Sequence, residues 1–209
     1  MAVWPRGSIL GIFFKSLPVA YLSVFVLDEF RRAHEKHSAV DTRYYLGIFG
    51  GLALSCIGDG CLAHIDDRAW FIAGLLFFAL GHAVYVYAFG LQPFRPAIFV
   101  PCLVIACYIF SYLYEGFKEH NMVFLTAMYL GIIAVMVWRS FVRLEQERTL
   151  TGFAAVIGAV LFFVSDLVLA INKFLYLVPH SRLINLTTYF GGQLGIALSV
   201  VGRTKSKKL

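Results

Sequence analysis

Charge is what this sequence has least of. Only 14% of its 209 residues are Asp, Glu, Lys or Arg, against 60% hydrophobic residues and a mean hydropathy of +0.77. Soluble domains carry about 25% charged residues, so the composition excludes an ordinary water-soluble domain and points to a chain that crosses a membrane several times. Cysteine is scarce as well. Cys56, Cys61, Cys102 and Cys107 all fall in hydrophobic stretches, with neither a disulfide framework nor zinc-ligand spacing, and they read as reduced packing residues. No cleavable signal peptide is expected: Arg6 is followed by an apolar stretch that Lys15 interrupts, with no clear cleavage site. The net charge of +6 does not argue for nucleic acid as a partner, because the basic residues are read as lying in loops and in the tail.

What is present in abundance is apolar sequence in runs of spanning length. A helix needs about 20 mostly apolar residues to cross a bilayer, and seven runs qualify: Ser8 to Leu27, Tyr44 to His64, Trp70 to Phe89, Ala97 to Tyr114, Met122 to Trp138, Thr151 to Ile171, and Leu183 to Val201. The 20 Phe and 11 Tyr suit lipid-facing and interfacial positions. The connections are short and polar, the longest being "DEFRRAHEKHSAVDTR". The expected fold is therefore all-α, a polytopic transmembrane helical bundle forming a single domain over residues 1–209. Gly47 with Gly51, and Gly191 with Gly195, make small-x-x-x-small pairs that predict close helix approach.

Orientation follows from loop charge. Arg6, Arg68, Lys118, Lys173 and Arg182 fall on one side; Arg31, Arg32, Lys36, Arg43, Arg95, Arg139, Arg143, Arg148, Arg203, Lys205, Lys207 and Lys208 fall on the other. The excess puts the C-terminus in the cytosol, and an odd number of spans puts the N-terminus on the opposite face. The final "KSKKL" resembles a dilysine retrieval signal, which would place the protein in the endoplasmic reticulum. A plain positive-inside anchor explains the same residues.

Several polar groups interrupt the spans. They are Lys15 in the first; Ser55 and Asp59 in the second; His82 and Tyr85 in the third; Ser165, Asp166 and Asn172 in the sixth; and Asn185, Tyr189 and Gln193 in the seventh. Tyr108, Ser111 and Tyr129 are the polar residues of spans four and five, which hold no ionisable acid or base. An Asp at the centre of a membrane helix costs roughly 2.5–3.5 kcal/mol on insertion scales, so Asp59 and Asp166 demand a reason. At about 1.5 Å per residue, Asp59 lies roughly 9 Å and Asp166 roughly 10 Å inside the same face, with Lys15 at a similar depth and His82 and Gln193 deeper. These groups can meet in one layer, and Asp59 is the expected partner of Asp166. Each also has a plainer reading. Lys15 could pair with an Asp merely to hold helices together, or snorkel to the interface. His82, Tyr85, Tyr189 and Gln193 could be hydrogen-bonded packing residues.

Five strings occur in order along the chain: "FFKSLPV", "SCIGDGCLAH", "ALGHAVYVYAFG", "VSDLVLAINKF" and "TTYFGGQLGIALS". Together they resemble the YhhN-type lysoplasmalogenases, the eukaryotic branch more than the bacterial, over Phe13 to Ser199. The resemblance implies a membrane enzyme that hydrolyses the vinyl ether bond of lysoplasmalogens, releasing a fatty aldehyde and glycerophosphoethanolamine or glycerophosphocholine. It implies Asp59 and Asp166 as the catalytic acids. It implies Lys15, His82, Tyr85, Asn172, Lys173, Tyr189 and Gln193 as groups around the substrate. Neither a metal nor a cofactor is implied; the expected partners are a lysophospholipid and the bilayer. Two departures stand out. That family is usually drawn with eight spans and this chain supports seven, the missing span preceding Lys15. The seventh span reads "YFGGQ", with Gly192 where the family more often has Ala, and this is expected to leave a pocket open.

The chemistry suits two carboxyl groups. Vinyl ethers are protonated at carbon, giving an oxocarbenium ion that water traps as a hemiacetal, which collapses to aldehyde and alcohol. A low-dielectric site and a neighbouring carboxylate both favour keeping one carboxylic acid protonated, while the second, ionised, steadies the cation as paired carboxylates do in glycoside hydrolysis. Other classes fit less well. An intramembrane aspartyl protease is expected to show Y-D and G-x-G-D strings, whereas this chain has "IGD" and "VSD". A ceramidase-type zinc hydrolase needs clustered His. A lipid transporter, or a lysolipid-binding protein without turnover, would use the same polar layer and differ in releasing no aldehyde.

Overall fold

The computed structural model describes residues 9–36 and 40–203. Arg6 and the tail from residue 204, with its dilysine-like lysines, lie outside the described residues. Among these residues there are seven helices: α1 (Ile9–Lys36), α2 (Thr42–Leu62), α3 (Arg68–Phe89), α4 (Pro96–Glu119), α5 (Val123–Glu147), α6 (Leu150–Phe174) and α7 (Ser181–Leu198). The all-α membrane bundle predicted from the apolar runs is the fold observed, helix for run. Five of the helices, α2 to α6, are long and apolar enough to cross a bilayer.

Two boundaries depart from the apolar runs. The first helix does not stop at Leu27 but continues to Lys36 through a stretch read as a connection. Helical spacing makes this possible, because Arg32 reaches Asp28 at 2.7 Å and Glu29 at 3.4 Å, and Phe30 packs edge-on against His34. Pairs at these spacings support a polar helix where lipid no longer does. Likewise α5 runs on to Glu147, carrying Arg139 and Arg143 inside the helix rather than in a loop.

The helices fall into two compact units: the chain up to Ala88 together with the return from Val200, and Phe89–Ser199. In the first unit, Asp41 caps α2 by accepting from the Tyr44 amide and pairs with Arg203 at 3.2 Å. Asp67 accepts from the amides of Ala69 and Trp70 at the start of α3. Each cap satisfies amides that a helix start leaves orphaned. The predicted small-residue contact is real here. A Cβ on Gly47 would sit 2.6 Å from the Ala88 Cβ, and one on Gly51 would overlap the Tyr85 ring, so α2 and α3 touch nearly backbone to backbone.

In the second unit the tightest seam joins α6 to α7. A Cβ on Gly158 would meet Ile196 N at 2.6 Å and Gly192 O at 2.7 Å; one on Gly195 would meet Ala154 O at 2.7 Å. Gly192 faces the same seam, where an added Cβ would sit 2.9 Å from Phe162 N. The glycine in "YFGGQ" therefore serves close backbone approach rather than an open pocket, because the space beside it is filled by α6. Gly191, paired with Gly195 by spacing, meets only the flexible end of Leu161.

The same unit holds two arginines read as loop charges. Arg139 is fully buried and donates from Nη1 to Pro93 O (2.7 Å) and from Nη2 to Gln92 O (2.8 Å). Arg143, also buried, donates to Phe89 O and pairs with Glu147 at 3.4 Å. Trp138 donates to Arg95 O and packs on Phe94 and Phe99. These residues staple the α3–α4 connection onto α5. A guanidinium is tolerated there because the backbone carbonyls of the connection take up its protons.

Candidate active site

In the first unit Lys15 and Asp59 meet. The Lys15 Nζ lies 2.9 Å from Asp59 Oδ1, with the Asp side chain 1% exposed and the Lys 27% exposed. Lys15 is seven residues into α1 and Asp59 is in the last turn of α2, so similar depth in two neighbouring helices becomes contact. The pairing is held in register one turn away, where the Cys56 thiol donates to Ser16 O at 3.4 Å. Because α2 ends at Leu62 and not near Ile65, Asp59 stands closer to its helix end than the apolar run implied.

Ser55 and Asp59 share the stripe that begins at Gly51. Ser55 donates to Gly51 O at 2.9 Å, and the Tyr85 hydroxyl comes within hydrogen-bonding reach of Ser55. Tyr85 and His82 are both completely buried on α3. The Gly51 backbone makes room for the Tyr85 ring, which explains why the ring can lie so close to α2. Lys15 thus meets Asp59, Tyr85 reaches Ser55 one turn from Asp59, and His82 is buried one turn before Tyr85 on α3.

The second unit holds the remaining residues singled out by sequence. Asp166 on α6 accepts a 2.5 Å hydrogen bond from the Tyr129 hydroxyl on α5. Its neighbour Ser165 donates to Asn185 O at 3.1 Å, while Asn185 Nδ2 donates back to Ser165 O and Oγ, both at 2.9 Å. Gln193 and Tyr189, one turn apart and buried on α7, are joined at 3.4 Å from Gln193 Nε2 to the Tyr189 hydroxyl. The Tyr189 ring stands edge-on to Phe162, one turn before Asp166. Asn172 is used differently from the rest: its Oδ1 accepts from the Val178 amide at 3.0 Å, tying down the turn after α6. Lys173 is in the last turn of α6, partly exposed.

Sequence reasoning passed over Tyr129, Arg139 and Arg143. Tyr129 stands on a span with no ionisable residue, so nothing along its own helix pointed to a carboxylate on the next one. The two arginines follow an apolar run directly and look like flanking charges; their burial depends on the α3–α4 connection folding back over them.

A model of the YhhN family matches residues 10–200. The chain belongs to the YhhN family. Among curated relatives it is 36% identical to the lysoplasmalogenase TMEM86A of Bos taurus and 34% identical to that of Homo sapiens, each over 90% of this chain and 76% of the relative. It is 34% identical to the lysoplasmalogenase TMEM86B of Sus scrofa, over 97% of this chain and 80% of that protein. No solved structure matches the chain. The YhhN match takes in all seven helices, the polar regions of both units included.

Proposed function

We propose that this chain is a lysoplasmalogenase, an integral membrane hydrolase that cleaves the vinyl ether bond of lysoplasmalogens to a fatty aldehyde and glycerophosphoethanolamine or glycerophosphocholine. The observation that carries the reading is a pair of carboxylates on apolar helices, each engaged by a side chain suited to acid–base work. Asp59 has the Lys15 ammonium and Asp166 the Tyr129 hydroxyl, in a chain similar over nine-tenths of its length to proteins named lysoplasmalogenase. An ionisable group inside a membrane span is a functional feature by default.

In this reading one Asp, protonated, delivers its proton to the β-carbon of the vinyl ether. The other, ionised, stabilises the oxocarbenium ion and draws a proton from the attacking water, and the hemiacetal then breaks to aldehyde and glycerol hydroxyl. Lys15 and His82 tune the carboxyl groups or meet the phosphate, with the 2.9 Å contact to Asp59 favouring the tuning role for Lys15. Tyr85, Tyr189 and Gln193 orient water and the glycerol, and Asn172 and Lys173 border the head group. The alkenyl chain lies along apolar helix surface. The endoplasmic reticulum as location and a cytosolic C-terminus belong to the same proposal, supported by the loop charge bias and the basic tail.

The test is aldehyde release from lysoplasmenylethanolamine by purified wild type, Asp59→Asn and Asp166→Asn, with folding checked by thermal melting. Turnover by wild type and a loss of about a hundredfold or more in both folded variants, the scale expected when a positioned acid or base is removed, supports the reading. Full activity in either folded variant removes that Asp from the chemistry. Binding of the lipid by wild type without aldehyde would favour a transporter or lipid-binding protein instead.

A further inference from the structure

Tyr129 and Asp166 are brought together by two different helices in a short side-chain hydrogen bond, 2.5 Å from Tyr129 Oη to Asp166 Oδ2. That length is at the short end of the range for a hydroxyl donating to an oxygen acceptor. The arrangement around it is not casual. The residue just before Asp166 is locked to α7 by the reciprocal bonds between Ser165 and Asn185. The α6 backbone is therefore held against rotation on its α7 side, while Tyr129 holds the carboxylate from the α5 side. The carboxylate is thereby held from α5 on a helix whose rotation is fixed from α7.

We propose that Tyr129 is a positioning residue for Asp166, holding one carboxylate oxygen by its phenol so that the other is aimed at the reacting vinyl ether; this rests on the lysoplasmalogenase reading above. The phenol acts through Asp166 and forms no bond to substrate. Removing the phenol leaves the Asp166 carboxyl freer to turn. Titratable groups on the elements around Asp166 include Tyr189 of α7, packed on Phe162 one turn away, Lys173 two turns further along α6, and Tyr112 of α4, which is hydrogen-bonded to Tyr176.

The experiment compares wild type, Tyr129→Phe and a protein carrying 3-fluorotyrosine at position 129, with lysoplasmenylethanolamine as substrate. Tyr129→Phe is expected to lower kcat about tenfold to hundredfold, as misaimed catalytic groups do, with KM changed by less than about threefold. The limb of the pH–rate profile that vanishes in Asp166→Asn should shift. The fluorinated phenol is a stronger donor of the same size, so it should shift that limb in the opposite sense while leaving the fold intact. A folded Tyr129→Phe with wild-type kcat and profile overturns the proposal. So does a Tyr129→Phe that fails to fold, if 3-fluorotyrosine leaves the profile unmoved, since the tyrosine then serves only packing. If wild type itself releases no aldehyde, the lysoplasmalogenase reading fails on its own account. The Asp166 carboxyl band in infrared titration, recognised by its loss in Asp166→Asn, then decides the contact: a shifted midpoint in Tyr129→Phe supports the hydrogen bond acting on Asp166, and an unmoved midpoint overturns it.

Discussion

Lys15 and Asp59 illustrate how far a single side chain can be read from its place in a run. Their similar depth on neighbouring spans predicted an encounter, and they do form an ion pair, with the carboxylate almost wholly buried. Replacing Lys15 by Met would leave that carboxylate without its ammonium. Breaking a buried pair costs about 3–5 kcal/mol, and the partial exposure of Lys15 brings the expectation to about 2–3 kcal/mol. A lower melting temperature for Lys15→Met, largely recovered in the double variant Lys15→Met/Asp59→Asn, is the expected result. A single variant that melts with wild type would mean that the pair contributes nothing to stability. Tyr129 shows the opposite case. It stands on a run with no charged residue to mark its depth, and no spacing within α5 encodes which face of α5 looks toward α6.

Helices pack here by what they lack. The α6–α7 seam needs Gly158, Gly192 and Gly195 because the atoms opposite are backbone, which cannot move aside as a flexible side chain does. Gly158→Leu should therefore abolish folding or lower the melting temperature severely. Gly131 on α5 is the internal control, with nothing within 4 Å of an added Cβ. Gly131→Ala should be neutral or stabilise by about 0.5–1 kcal/mol, the usual gain from replacing a mid-helix glycine. Both are checked by thermal melting in detergent. The α3–α4 connection makes a second prediction. Arg139→Met would leave the carbonyls of Gln92 and Pro93 without their buried donors, and each unmet carbonyl costs about 1–3 kcal/mol. Hydrogen exchange in residues 90–95 should quicken markedly, while exchange in α6 changes little. Equal exchange in that connection before and after the substitution would count against the staple.

For the whole protein, the predicted property is its seat in the membrane. Five helices long and apolar enough to span should keep it in the membrane fraction through an alkaline carbonate wash and release it only with detergent. The charge bias makes a sharper claim. A glycosylation acceptor sequence added after Leu209 should remain unmodified in cells if the C-terminus is cytosolic, and its efficient modification would reverse the orientation. The burial of Arg139 and Arg143 removes two of the charges on which that bias was counted, but ten basic residues still stand against five on the other side.

The number, order and approximate extent of the helices were legible in the sequence because each is a local requirement. In hydrocarbon every backbone amide must find its partner within the helix, so an apolar run of spanning length has one stable form. That Asp59 and Asp166 stand within apolar helices was legible for a related reason: a charge inside such a run is costly enough to stand out. The helix ends were less so, since α1 and α5 are prolonged by ion pairs and by loop contacts that begin where lipid stops. Which group each buried polar side chain meets was decided by three-dimensional packing. Tyr129 reaches Asp166, Asn185 locks Ser165, and Gly192 lies against α6 because of how each helix is rotated about its own axis. That rotation is set by contacts between helices, among them the glycine-mediated backbone approach of α6 to α7, and no period along one helix records it.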